Sequence, residues 1–250
     1  MKKKWVRSIL IACAVGLAPA AICAAEPDEA AKPVYRAPLE EQAPAEGAAA
    51  TEIPQYQPPG IGSPKNRTSG GTRGGAAVGV ELLAPADHMG VTTSAQPTLY
   101  WHLTGSTQVR VEFVLRDERS SKPFVERTLP TPAGPGFQAV DLGELGVSLP
   151  IGVDYQWSIS LVMDDQHRSR DVAATAWIRR VEASTALAER LAQSGAARAA
   201  FVYAENGIWY DAFRSASPAQ RDGLLAEVGL GAIARSETSG QGPTDVLSAH

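Results

Sequence analysis

The chain has few side chains capable of acid–base, metal or nucleophilic chemistry, and their spacing gives them little to do together. Its four histidines, His88, His102, His167 and His250, stand far apart. No two have metal-ligand spacing, and no His-Glu-x-x-His motif occurs. Cys13 and Cys23 are the only cysteines, so a chain cut after Ala25 would keep no thiol for catalysis or disulfide formation. No Gly-x-Ser-x-Gly elbow presents a serine nucleophile. Asp164-Asp165-Gln166-His167 has the chemistry to hold a cation, but it lies between two candidate strands, where aspartates serve turns by bonding their own backbone. Asp117-Glu118 ahead of Ser120-Ser121 is the same kind of place. Gly70-Gly71-Thr72-Arg73-Gly74-Gly75 suggests a phosphate cradle, yet no Lys-Ser/Thr follows it and no apolar strand precedes it. It reads as the flexible lead into the first strand. No catalytic set, metal site or cofactor is therefore expected.

Two groups remain as a candidate interaction surface. One is Arg168 and Arg170, beside Asp171, together with Arg179 and Arg180. These could form an arginine-rich edge of the kind favoured at protein interfaces, or could guard an edge strand against aggregation. The other is Trp209 with Tyr210. Exposed together they would favour binding; buried against the rest of the fold they would be structural.

The elements that must carry these residues follow from hydrophobic periodicity. Between residues 78 and 181 short apolar runs alternate with polar residues and break at turn signals about ten residues apart. The spacing predicts strands at 78–83, 98–103, 109–116, 124–129, 137–142, 154–164 and 173–180. Val109, Val111, Phe113 and Leu115 share one face of their strand, as do Tyr155, Trp157, Ile159, Leu161 and Met163. A period of two means one buried and one wet face, the pattern of an antiparallel sandwich. Some seven such strands predict a mainly β fold, an immunoglobulin/fibronectin-III-like antiparallel β-sandwich at 76–181. Two stretches sharpen it: Leu149 to Trp157 resembles the tyrosine-bearing approach to a late sandwich strand, and Pro97-Thr98-Leu99-Tyr100-Trp101 the early strand with the buried tryptophan. Trp101, Trp157 and Trp177 are expected to meet in the core, although a tryptophan cluster could also stack on sugar. His102 should be a half-buried strand residue.

After residue 181 the period becomes helical. Ser184 can cap a helix bearing Leu187 and Leu191 that ends at Gly195. A second helix at 197–205 stops at Asn206-Gly207, and a third carries Trp209, Tyr210, Ala212 and Phe213. Ser217-Pro218-Ala219-Gln220 is a capping box with proline in the first turn, opening a helix that bears Leu224, Leu225 and Val228. The stretch from Tyr203 to Ala212 is similar to the turn inside a tetratricopeptide repeat. No second copy stands at the ~34-residue period, so this helical cap at 182–232 is expected to pack on the sandwich, with a flexible tail at 233–250.

The first residues suggest export. Lys2, Lys3, Lys4 and Arg7 precede an apolar run of about 13 residues and then small residues, the pattern of a cleaved signal peptide at 1–25. The run is short of the ~20 residues a permanent membrane anchor needs. Lipidation at Cys13 would leave too short an apolar run before it. From 26 to 75 the prolines at 27, 33, 38, 44, 54, 58, 59 and 64 defeat regular structure, predicting a disordered spacer rich in Pro, Ala and Gly. Within it, Pro54-Gln55-Tyr56-Gln57-Pro58 is either plain linker or a polyproline-type docking segment. The formal charge is −4, from 23 basic and 27 acidic residues. Removing the four basic leader residues leaves 19 against 27, or −8, which disfavours nucleic acid and anionic lipid as partners.

Six blocks then carry a resemblance: Gly70 to Gly74, Leu82-Leu83-Ala84-Pro85, Pro97 to Trp101, Val111 to Asp117, Tyr155-Gln156-Trp157-Ser158-Ile159 and Tyr203 to Ala212. In this order, over about 58 to 228, the chain resembles the bacterial domain-of-unknown-function family 928. The resemblance implies an exported protein of cyanobacteria or proteobacteria, associated with extracytoplasmic sensor and repeat proteins. It implies no assigned activity, cofactor or catalytic residue. Some members carry cysteine near the glycine motif, where this chain has Ala76, Ala77 and Val78.

These readings lead to an exported periplasmic or extracellular protein, most simply a non-catalytic protein-interaction or sensor-accessory module with an envelope protein as partner. The alternatives are a module binding carbohydrate or another envelope polymer and, more remotely, a hydrolase, which would need a deep polar cleft with a perturbed carboxylate.

Overall fold

Alternation along the longest strands decides the architecture. In the strand Asp154–Val162, Tyr155, Trp157, Ile159 and Leu161 are buried while Gln156, Ser158 and Ser160 face outward. A sheet with one apolar face needs a second layer against it. The computed structural model describes residues 52–60, 65–70, 78–132 and 134–240. The expected leader, the spacer up to residue 51, the glycine run from 71 to 75 and the chain past 240 lie outside them.

Eight strands occur among the described residues: β1 (Val80–Leu82), β2 (Gly90–Thr92), β3 (Thr98–Leu103), β4 (Arg110–Asp117), β5 (Val125–Leu129), β6 (Gly136–Asp141), β7 (Asp154–Val162) and β8 (Val172–Arg180). They form a three-stranded sheet in the order β1-β3-β6 and a five-stranded sheet in the order β2-β8-β7-β4-β5. All pairings are antiparallel except β2 with β8, which run parallel. Seven of the eight strands match those the sequence predicts; β2 is the addition.

Five helices follow: α1 (Thr185–Ser194), α2 (Ala199–Glu205), α3 (Trp209–Ser215), α4 (Pro218–Glu227) and α5 (Gly231–Gly240). Ser184 caps α1 by accepting from the Leu187 amide, and Ser217 with Gln220 closes a capping box on α4. Gly207, with φ 72°, makes the sharp turn between α2 and α3. The helices cover the outer face of the three-stranded sheet, where Phe213 packs on Tyr100 with ring centroids 5.2 Å apart. For that reason β3 is buried on both faces, Trp101 on one and His102 on the other. Sheets and helices share one continuous core containing Trp101, Trp157 and Trp209.

Three expectations need correction. Trp177 is not in the core. It alternates with buried Ala176 and Ile178, so it sits on the outer face of β8, where the Lys65 ammonium lies 4.1 Å over its ring; the third core indole is Trp209. Of the spacer expected at 26–75, residues 52–60 and 65–70 are held against the fold: Thr68 bridges to Thr175 and Gly70 to Val80, while 52–60 pack on the helices. The tail expected at 233–250 is helical as far as Gly240, with Ile233 and Ala234 buried in the first turn of α5.

Candidate functional site

The 52–60 segment has no regular secondary structure. Pro54, Pro58 and Pro59 lack amide donors and favour extended backbone, which leaves Tyr56 projecting from an extended run. Two amides tie it down: Tyr56 N–H donates to Glu227 Oε2 at 2.5 Å and Gln57 N–H to the Ala204 carbonyl at 3.1 Å. Glu52 pairs with Arg198 at one end. At the other, Gly207 admits the chain, since a Cβ there would lie 2.8 Å from the Gln57 carbonyl and 3.0 Å from Pro59 N. The segment thus crosses the α2–α3 turn and the end of α4.

The anchor is the tyrosine ring. Tyr56 is 9% exposed, stacked on His88 at 5.6 Å and edge-on to Trp209 at 5.1 Å. Trp209 is held in turn by its indole N–H, which donates to the Leu83 carbonyl at 2.9 Å. Beyond the ring, Tyr56 Oη lies 2.9 Å from His88 Nε2, and His88 Nδ1 lies 2.7 Å from Asp87 Oδ1. If Nδ1 donates to Asp87, Nε2 is left to accept from the phenol. This is the grammar of an acid–histidine–nucleophile relay, but the terminal group is wrong for it. Burial pushes the Tyr56 phenol well above its ordinary value, so it stays a neutral donor. The Asp87 carboxyl is held low by its bond from His88. The relay positions a ring, and a cavity of about 480 Å³ opens beside it, lined by Tyr56, Pro58, Asp87, His88 and Glu227.

The arginines expected to form one edge are divided. Arg168 and Arg170 form a 3-10 turn before β8, and Arg179 and Arg180 end that strand, about 30 Å away for nine extended residues. Nor is β8 an edge, since β2 and β7 flank it. Arg168 pairs with Glu112 at 2.5 Å and Asp171 at 2.7 Å, and Arg170 with Asp164 at 3.3 Å. Arg179 pairs with Asp154, and Arg180 donates to the Thr93 and Leu149 carbonyls. Arg168 and Arg170 remain exposed and reachable, whereas Arg179 and Arg180 staple the far end of the sheet.

Trp209 and Tyr210 are both buried, at 0% and 2% exposure. By the criterion set above they are structural, and as placed they offer a partner no surface. Tyr210 Oη accepts from Trp157 Nε1 at 2.9 Å and donates to the Trp177 carbonyl at 3.0 Å. Asp164 and Asp117 adopt turn geometry, accepting from the amides of Gln166 and Arg119 two residues on. Among the described residues, no group of three or more His, Cys, Asp or Glu is placed to hold a metal ion. No helix among them is long and apolar enough to cross a membrane. The tyrosine anchor was visible in the sequence only as the docking option for Pro54 to Pro58.

The sequence model of a family described as Domain of Unknown Function (DUF928) matches residues 68–237. The chain belongs to this family. The match spans all eight strands of this DUF928 chain, while the 52–60 segment precedes it. No curated protein and no solved structure matches the chain.

Proposed function

We propose that this DUF928 chain is an exported, non-catalytic interaction module of the cell envelope whose helical layer receives an extended, tyrosine-anchored segment. Its own residues 52–60 fill that position in cis, and a like segment of an envelope partner, such as an extracytoplasmic sensor, takes it in trans. One observation carries the reading: Tyr56 is seated between Trp209 and His88 while the adjoining amide bonds to the Ala204 carbonyl. Side-chain anchor plus main-chain bond is how folded domains commonly hold extended peptides. The basic leader and its short apolar run support export.

The fold belongs to the same proposal. The order β1-β3-β6 against β2-β8-β7-β4-β5, with its short parallel edge pair β2–β8, fits an immunoglobulin/fibronectin-III-like sandwich. The α2–α3 pair fits half of a tetratricopeptide repeat, capping the sandwich.

The test is photo-cross-linking in intact cells from exposed Ala226, beside Glu227 on α4, in chains carrying Tyr56 or Tyr56→Ala. The expected result is a discrete adduct with one envelope protein, recovered outside the cytoplasm and stronger for Tyr56→Ala. A cytoplasmic chain, or no adduct from either variant, contradicts the reading.

A further inference from the structure

The seat that residues 52–60 occupy selects a short pattern. Pro54 and Tyr56 are buried there and Pro59 is half-buried, while Gln55, Gln57 and Pro58 between them are exposed. The Tyr56 ring packs on His88 and Trp209. Pro59 lies against Gly207, where a Cβ would stand 3.0 Å from the proline nitrogen and 3.1 Å from its Cβ. The covered positions are thus a tyrosine, a proline two residues before it and a proline three residues after it. The same pattern occurs once more, earlier in the chain, as Pro33-Val34-Tyr35-Arg36-Ala37-Pro38. The two stretches align without a gap, and the positions at which they differ are those that are exposed in 52–60.

Main chain and charge fit as well. The seat takes two amide donors, Tyr56 N–H to Glu227 and Gln57 N–H to the Ala204 carbonyl. Tyr35 and Arg36 both keep the amide those bonds need, since neither is proline. The ionisable groups lining the cavity beside Tyr56 are the phenol itself, Asp87, His88 and Glu227. With the phenol neutral, their sum is negative whether or not His88 is protonated. Residues 52–60 bring no cation to it, whereas Lys32 and Arg36 flank Tyr35, and opposite charges favour the pairing. One contact is lost: Glu52 pairs with Arg198, and Ala31 stands at the corresponding place.

We infer that residues 33–38 are a second tyrosine anchor for the same seat, which they take when residues 52–60 leave it. The inference rests on the docking reading proposed above and names a further occupant for that site. The two segments exclude each other, because one tyrosine ring fills the space between His88 and Trp209. A partner that displaces Tyr56 therefore still competes with Tyr35.

The experiment is calorimetric titration of two peptides, residues 31–39 and residues 52–60, into the Tyr56→Ala chain and the Tyr35→Ala/Tyr56→Ala chain. Both peptides should bind the double variant one-to-one, and alanine in place of Tyr35 should abolish binding of the 31–39 peptide. The 52–60 peptide should bind Tyr56→Ala about tenfold more weakly than the double variant, because the tethered Tyr35 segment competes for the seat. Arg36→Glu should weaken the 31–39 peptide by about tenfold. The same pair of chains built on Tyr56→Leu, which keeps apolar bulk at the anchor, gives the comparison should the alanine chains not fold. Binding of 52–60 without binding of 31–39, or equal affinity of 52–60 for the single and double variants, overturns this inference and leaves the docking reading standing. Binding of neither peptide overturns both.

Discussion

Tyr56 stabilises the fold through its ring more than through its hydroxyl. The ring is packed on two others, whereas the hydroxyl makes one hydrogen bond near a cavity. Tyr56→Phe should therefore cost about 1 kcal/mol, and Tyr56→Ala about 3 kcal/mol or more, measured by urea unfolding. Similar costs for the two would mean that the ring is not the anchor. Asp141 makes a different prediction. Its carboxylate accepts from the Thr98 hydroxyl and from the Gly143 and Glu144 amides, and the Thr98 bond foremost depresses its pKa below the usual 3.8. A depressed carboxyl adds stability above its unfolded pKa, which is lost as pH falls through the lower folded value. Asp141→Asn should thus cost about 1 kcal/mol at neutral pH, after allowing for solvent screening. The gap from the parent should close as both chains are taken below pH ~4; a constant gap would refute the assignment. In the sequence Asp141 is only a residue of the strand expected at 137–142, since Thr98 stands 43 residues away. Tyr56 shows there only within the docking option for Pro54 to Pro58, because the Glu227 carboxylate that its amide meets lies 171 residues away.

At the scale of elements, β2 shows why one strand escaped the sequence. Three residues, Gly-Val-Thr, give no periodicity to detect, and what specifies them comes from α3. Gly90 stands where a Cβ would fall 2.6 Å from Tyr210 Cε2. That ring cannot swing away, because its hydroxyl is fixed by Trp157 and by the Trp177 carbonyl. Gly90→Ala should cost about 2–3 kcal/mol in thermal unfolding, and a neutral result would show that the α3 ring is free to move. On the same strand the Thr92 hydroxyl donates to Asp211 at 2.6 Å, and the Thr93 amide and hydroxyl also donate to that carboxylate. Burial raises the Asp211 pKa, so losing a donor there is felt. Thr92→Val should cost about 2 kcal/mol. The other strands were legible because each carries its own alternation. The helix ends were legible because Ser184, Ser217 and Gly207 act locally. Trp177 was misplaced because alternation gives the two faces of β8 without saying which one small alanines leave to the core.

For the molecule as a whole, sheets and helices are interdependent: α3 supplies Trp209, Tyr210 and Phe213 to the core that the strands build. A cap packed on a sandwich, the picture the sequence suggested, therefore understates the coupling, because contact between distant segments leaves no periodic trace. As proposed above, this shared surface accepts an extended tyrosine-anchored segment. A tethered segment competes at a high effective concentration, so the intact chain should resist binding in trans. The direct measurement is calorimetric titration of a peptide of residues 52–60 into the parent chain and into the Tyr56→Ala chain. Saturable one-to-one binding to Tyr56→Ala is expected, with little to the parent and none when the peptide tyrosine is alanine. No binding to Tyr56→Ala, or equal binding of the tyrosine and alanine peptides, would contradict it.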